Sequence, residues 1–185
     1  CGLEQQEARL TTRAEDVLRE PDVGFVVIAS YEDAHAAQAV AALDGGKHVL
    51  LEKPLCQTGD ELNRLSDALD RAPNLVFQSN LIMRRFPRMA QLKRSIASGE
   101  FGDIYFIEAD YAYGRVHKIT EGWRGRLPYY SVMGGGGIHV LDAVLWLTGG
   151  RVQEVQGYGN RIATEGSQFR FDDFQVALLR LKSGA

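Results

Sequence analysis

Lys47-His48-Val49-Leu50-Leu51-Glu52-Lys53-Pro54 is the stretch from which the fold is read. It follows Gly45-Gly46, a natural helix stop. It opens on an apolar run short enough for a buried strand. It closes on Glu52-Lys53-Pro54, which puts a charged pair and a proline ring at the carboxyl end of that strand. Open α/β sheets bind their ligands outside the carboxyl ends of the strands. A lysine there is costly to bury and useful to a ligand.

Outward from this stretch the same grammar repeats. A polar start leads into a helix ended by Pro21-Asp22, with Thr12 as its cap and Ala14, Val17 and Leu18 as its apolar stripe. Residues 23–30, VGFVVIAS, form a nearly continuous apolar run, which predicts a strand buried on both faces. Residues 33–43 are Ala-rich and helical. Thr58-Gly59-Asp60-Glu61 reads as a capping box, followed by Leu62, Leu65 and Leu69 on one helical face. Residues 75–78 form another short strand. This alternation over residues 12–79 implies right-handed crossovers and a parallel sheet.

After residue 80 the pattern changes. Residues 87–98 read as a helix with a basic face, closed by Gly99, and residues 103–113 as a long, partly alternating strand. Residues 114–134 carry aromatics, arginines and glycines without periodicity. An apolar helix spans 138–147. Residues 152–158 and 174–181 read as strands of an antiparallel sheet with one wet face.

Composition bounds the partners. Hydrophobic residues make up 45% of the 185, enough for a core, and the net charge of −3 gives no electrostatic reason to propose nucleic acid or an anionic membrane. No apolar run approaches a transmembrane length, and the polar first ten residues carry no signal-peptide pattern. Two cysteines, Cys1 and Cys56, without metal-type spacing point to a reducing, cytoplasmic setting. The start at Cys1 without a first strand predicts a part of a longer polypeptide.

Three stretches together resemble the glucose–fructose oxidoreductase/inositol dehydrogenase family, also called Gfo/Idh/MocA. They are VVIASYEDAHAAQAVAALDGGKHVLLEKPL at residues 26–55, RRFPRMAQLKRSIASGEFGDIYFIEADY at 84–111 and GGGGIHVLDAVLWLTGG at 134–150. The resemblance implies a Rossmann dinucleotide-binding domain over residues 1–80, with its glycine-rich turn expected before residue 1. It implies an α/β domain over 81–185 with an open, mostly antiparallel sheet that is cut short at its end. It further implies an NAD- or NADP-dependent oxidoreductase of a sugar, polyol or cyclitol, assembled as a dimer or tetramer through that sheet. Two alternatives stay open: an NAD-retaining glycosidase of the same family, and a non-catalytic cofactor-binding or oligomerising subunit.

Carried onto this sequence, the resemblance makes Lys53 the donor to the substrate oxygen, with Glu52 as its ion-pair partner and a cis bond before Pro54. Ser30, Tyr31 and His35 would line the cofactor near the nicotinamide ribose, although His35 equally suits the interior of the following helix. His139 becomes the acid/base, because histidine exchanges protons near neutral pH. Asp142, three residues on, would orient it. Such dehydrogenases often carry an aspartate four residues before this histidine, and here that position is Gly135. Either Asp142 or another carboxylate substitutes, or the chain does not run the standard alcohol oxidation. Arg85, beside Asn80 at the passage between the domains, resembles a frequent family arginine, with a solvated basic helix face as the competing account. Tyr113, Trp123 and Arg124 suit a sugar, together with His117, Arg126, Tyr129 and Tyr130 of the same loop. Cys56 reads as a small buried residue. No metal is expected, since His139 and Asp142 lack a third ligand at useful spacing.

Overall fold

A computed structural model describes residues 8–185, so Cys1 lies outside the described residues. The chain divides after Asn80 into two compact units.

In the first unit, β1 (Phe25–Ile28), β2 (His48–Leu51) and β3 (Phe77–Ser79) form a parallel sheet in the order β1-β2-β3. β1 and β2 pair in the register Val26↔Val49 and Ile28↔Leu51, which puts these four side chains on one face. The helices α2 (His35–Asp44) and α3 (Gly59–Arg71) cover that face with Ala39, Ala42, Leu43, Leu65 and Ala68. Small residues on α2 let the helix approach the sheet closely. The expectation of burial on both faces is corrected: Phe25 and Val27, on the opposite face of β1, are exposed. Among the described residues, helices pack on the Val26 and Ile28 face alone.

Local signals explain the helix ends. Thr58 Oγ1 accepts from Glu61 N, and the Glu61 carboxylate accepts from Thr58 N, the reciprocal capping box. The short helix α1 (Ala14–Leu18) is different: its N-cap is Arg13, with no side-chain cap. Thr11, not Thr12, organises that start, accepting from Arg13 N and donating to Asp16. Lys47, with only 3% of its surface exposed, donates from Nζ to the carbonyls of Glu20 and Val23 at 2.6 and 2.7 Å. It pins the segment before β1 against the start of β2.

The second unit holds α4 (Pro87–Ala97), α5 (His117–Thr120), a 3₁₀ turn at Trp123–Arg126, and a π-helical turn at Met133–Gly137 that runs into α6 (Ile138–Thr148). Proline opens α4, where its missing N–H costs nothing. Gly149, at φ 65°, closes α6 in the left-handed region. β4 (Val152–Asn160) and β5 (Phe174–Leu181) pair antiparallel. Leu127, Tyr130 and Phe169 form a small core, with Tyr130 and Phe171 each edge-on to Phe169.

Two expectations are corrected here. Residues 103–113 form no regular strand. Their alternation is real, but a strand needs a neighbour for its backbone groups, and Tyr105 and Phe106 stand exposed. The β4–β5 ribbon is wet on both sides along β4, where Val155 and Tyr158, of opposite parity, are both exposed. No helix among the described residues is long and apolar enough to cross a membrane.

Candidate active site

The first unit gathers its chemistry at the carboxyl ends of β1 and β2. Beyond β1, Ser30 is exposed and donates from Oγ to Gln38 Oε1 at 2.8 Å, and Tyr31 is exposed beside it. Beyond β2, the chain turns through Glu52, Lys53 and Pro54, all half-buried, and the Lys53–Pro54 bond is cis. Glu52 accepts from Asn80 Nδ2 at 2.6 Å and from the backbone N–H of Lys53 at 3.2 Å. Its carboxylate therefore ties the turn after β2 to the end of β3. His35, the first residue of α2, is 1% exposed. Its Nδ1 lies 2.7 Å from the Pro54 carbonyl and its Nε2 3.1 Å from the Ser30 carbonyl. Cys56, further along the same turn, is half-buried, and desolvation pushes its thiol up, with Glu61 adding to the shift.

The second unit builds its chemistry around the start of α6. His139 is 8% exposed, and its ring lies 6.0 Å from that of Tyr111. Tyr111 in turn stacks on Tyr113 at 5.9 Å, and Arg115 and Lys118 flank the Tyr113 ring. A hydrogen bond with Lys118, and then the charges of Lys118 and Arg115, hold the Tyr113 phenol below the usual tyrosine range. The glycines before His139 make room for aromatic rings. A Cβ on Gly136 would overlap the Tyr111 ring, and one on Gly135 would overlap the Tyr130 phenol. Gln175 of β5 accepts from Ser131 Oγ and from Met133 N, which anchors the π-helical turn to the sheet.

Asp142 has a strong partner. Both its oxygens accept from Arg84, at 2.9 and 2.5 Å, in a bidentate pair, and its side chain is only 10% exposed. Asp142 thus joins the turn at 82–85 to α6. The pair raises the Arg84 guanidinium, through the hydrogen bond first. The neighbouring Arg85 is exposed. In the loop, Arg124 lies 4.3 Å over the Trp123 ring. Among the described residues, no group of three or more His, Cys, Asp or Glu is placed to hold a metal.

Comparison with known proteins now bears on this arrangement. Residues 3–80 match the oxidoreductase family with an NAD-binding Rossmann fold, and residues 89–185 match the GFO/IDH/MocA C-terminal domain. The chain belongs to the GFO/IDH/MocA family. It is 29% identical over 149 residues to inositol 2-dehydrogenase 2 of Saccharopolyspora erythraea, covering 80% of this chain and 42% of that protein. It is 31% identical over 140 residues to levoglucosan dehydrogenase of Pseudarthrobacter phenanthrenivorans, covering 72% of this chain and 35% of that protein. A levoglucosan dehydrogenase structure in complex with NADH and levoglucosan superposes with a TM-score of 0.86 at 28% identity, over 95% of this chain and 49% of that one. The chain thus spans about half or less of the length of these relatives.

As a member of the GFO/IDH/MocA family, the chain has its Rossmann unit first and its C-terminal α/β unit second. Within that frame, the sequence pointed to single residues and missed their pairings. Asn80 with Glu52 and Arg84 with Asp142 join residues 28 and 58 positions apart. No spacing rule reaches across such gaps. Tyr130 in the space beside Gly135 was also unmarked, although four consecutive glycines before a helix are themselves a sign that something large packs there.

Proposed function

We propose that this chain is the greater part of the active region of an NAD- or NADP-dependent dehydrogenase acting on a hydroxyl of a sugar, polyol or cyclitol. The observation that carries the reading is the Glu52-Lys53-Pro54 turn at the carboxyl end of β2, the middle strand of the Rossmann sheet. The names of the relatives support the substrate class: inositol and levoglucosan are both rich in hydroxyls.

The exposed polar groups of Ser30 and Tyr31 and the turn at Lys53 and Pro54 fit the ribose side of a nicotinamide nucleotide. The cofactor, when bound, supplies the hydride acceptor. The chain does the rest. Lys53 donates from its ammonium to the reacting oxygen and stabilises the negative charge that develops there. His139 takes the hydroxyl proton at a ring nitrogen. Its ring is kept from bulk water by burial and by Tyr111. Glu52 holds the lysine-bearing turn through Asn80, and Asp142 holds α6 through Arg84. Tyr113, Trp123, Arg124 and Arg85 contact the sugar. The same reading has the protein cytoplasmic and assembled through the β4–β5 sheet, where Val155, Tyr158 and Leu178 are exposed.

The test is cofactor titration of the protein carrying this sequence, followed by turnover with myo-inositol, scyllo-inositol and levoglucosan under NAD⁺ and NADP⁺. Stoichiometric accumulation of reduced nucleotide supports the reading. Sugar cleavage without net reduced nucleotide would select the NAD-retaining glycosidase instead. Failure to bind either nucleotide would leave a non-catalytic subunit.

A further inference from the structure

We propose that His35 is a positioning residue, whose ring bridges the carbonyls of Ser30 and Pro54 and so sets where Lys53 stands. The proposal rests on the role given to Lys53 above.

The geometry begins where the sheet ends. The backbone ladder between β1 and β2 runs as far as the bond from Glu52 N to Ile28 O, 2.9 Å. The residues that follow on each strand carry the exposed chemistry, Ser30 and Tyr31 on one side and Lys53 and Pro54 on the other. Proline has no N–H to give, so the only main-chain polar group Pro54 offers is its carbonyl. That carbonyl lies 2.7 Å from Nδ1 of His35, and the Ser30 carbonyl lies 3.1 Å from Nε2 of the same ring.

A carbonyl oxygen only accepts, so each of these contacts is a hydrogen bond where that ring nitrogen carries a proton. A neutral imidazole donates from one nitrogen at a time, and the protonated ring donates from both. The neutral ring thus bonds one carbonyl and packs against the other, the protonated ring bonds both, and in each case the rigid ring stands between the two. A shorter or apolar side chain would not do this. The ring itself is held firmly, since it opens α2, whose Ala36, Ala39, Ala42 and Leu43 are buried. His35 is 1% exposed, which removes it from direct contact with substrate and makes its action indirect, through the turn. These contacts are part-buried, and a partly shielded carbonyl that loses its donor loses that tie, so loss of the ring should free the 53–56 turn to move. Small displacements of a reacting group cost about 100-fold in rate.

The test is a double-mutant cycle with an independent structural readout. His35→Phe removes both donors, and His35→Gln, which keeps one, serves if the first variant is poorly folded. Amide hydrogen exchange is measured on peptides covering residues 52–57 and, as a control, α3. Turnover with NAD⁺ is measured on myo-inositol and levoglucosan, in the natural and the Lys53→Ala backgrounds. The expected result is exchange at 52–57 faster by about 10-fold or more with α3 unchanged, and kcat lower by about 10- to 100-fold. KM for NAD⁺ should move by less than about threefold, and in the Lys53→Ala background His35→Phe should change kcat by less than about twofold. Unchanged exchange at 52–57 would overturn the proposal, as would an equal kcat loss in both backgrounds, the mark of a merely structural residue. The exchange readout needs no substrate. If Lys53→Ala alone turned over like the natural protein, the role of Lys53 would fall, and the positioning role with it, whatever the exchange data gave.

Discussion

Gly135→Ala offers a prediction in which two physical effects have opposite signs. Replacing glycine inside a helix by alanine normally stabilises by about 1 kcal/mol, through lower backbone entropy in the unfolded chain. Here an added Cβ would overlap the hydroxyl of Tyr130 and stand 2.7 Å from its Cζ. Tyr130 is 7% exposed and packs edge-on to Phe169, so its ring cannot swing aside without leaving the core. Overpacking of this kind costs about 1–3 kcal/mol, and two overlapping atoms place it near the upper end. The expected net loss is about 2 kcal/mol, a fall in Tm of roughly 4–8 °C for a chain of this size. Thermal unfolding followed by circular dichroism measures it. The Tyr130→Leu background supplies the control: there Gly135→Ala should recover its ordinary stabilisation. A rise in Tm for Gly135→Ala in the natural background would refute the reasoning, because propensity alone would then be acting. The same overlap leaves no room for a carboxylate four residues before His139 while Tyr130 keeps its place. Tyr130 occupies that volume.

Three further outcomes are expected. Asp142→Asn should cost about 1–2 kcal/mol in urea unfolding, since it breaks the bidentate pair with Arg84, discounted because Arg84 is half exposed; no change would mean the pair contributes nothing. Thr58→Ala should cost about 0.5–2 kcal/mol by loss of the capping box, and Thr12→Ala should cost almost nothing. Lys118→Met should raise the Tyr113 phenol back towards the ordinary tyrosine value. The favourable partner of the phenolate would be gone, so in an ultraviolet titration this tyrosine should ionise at higher pH than in the natural protein; an unmoved curve would remove the Lys118 contact.

The fold was legible where local chemistry and tertiary packing agree. β2 and β5 occupy the residues their apolar runs mark, and α3 begins at its capping box. It was illegible where the deciding fact is a neighbour. Residues 103–113 alternate like a strand, yet alternation describes side chains, and a strand also requires a second backbone to bond. For the same reason the run at 23–30 overstated burial: Val26 and Ile28 meet helices, and Phe25 and Val27 do not. In the candidate site, residue types and motif positions led to Lys53 and His139, because a cation after a strand and a histidine after glycines are local patterns. The partners of Glu52, Asp142 and His35 are not local. Asp142 lies three residues beyond His139, and that spacing gives no sign of Arg84, which reaches both of its oxygens from 58 residues away. A strong bidentate partner decides the geometry of an aspartate more than helical spacing does.

The most direct measurement of the central claim is steady-state turnover of Lys53→Ala beside the natural protein, with NAD⁺ and whichever of the cyclitols and sugars above is oxidised. The account predicts kcat lower by about 100- to 1000-fold, the cost of losing one donor to a developing oxyanion, with nucleotide binding largely kept. Turnover within a few-fold of the natural protein would contradict it.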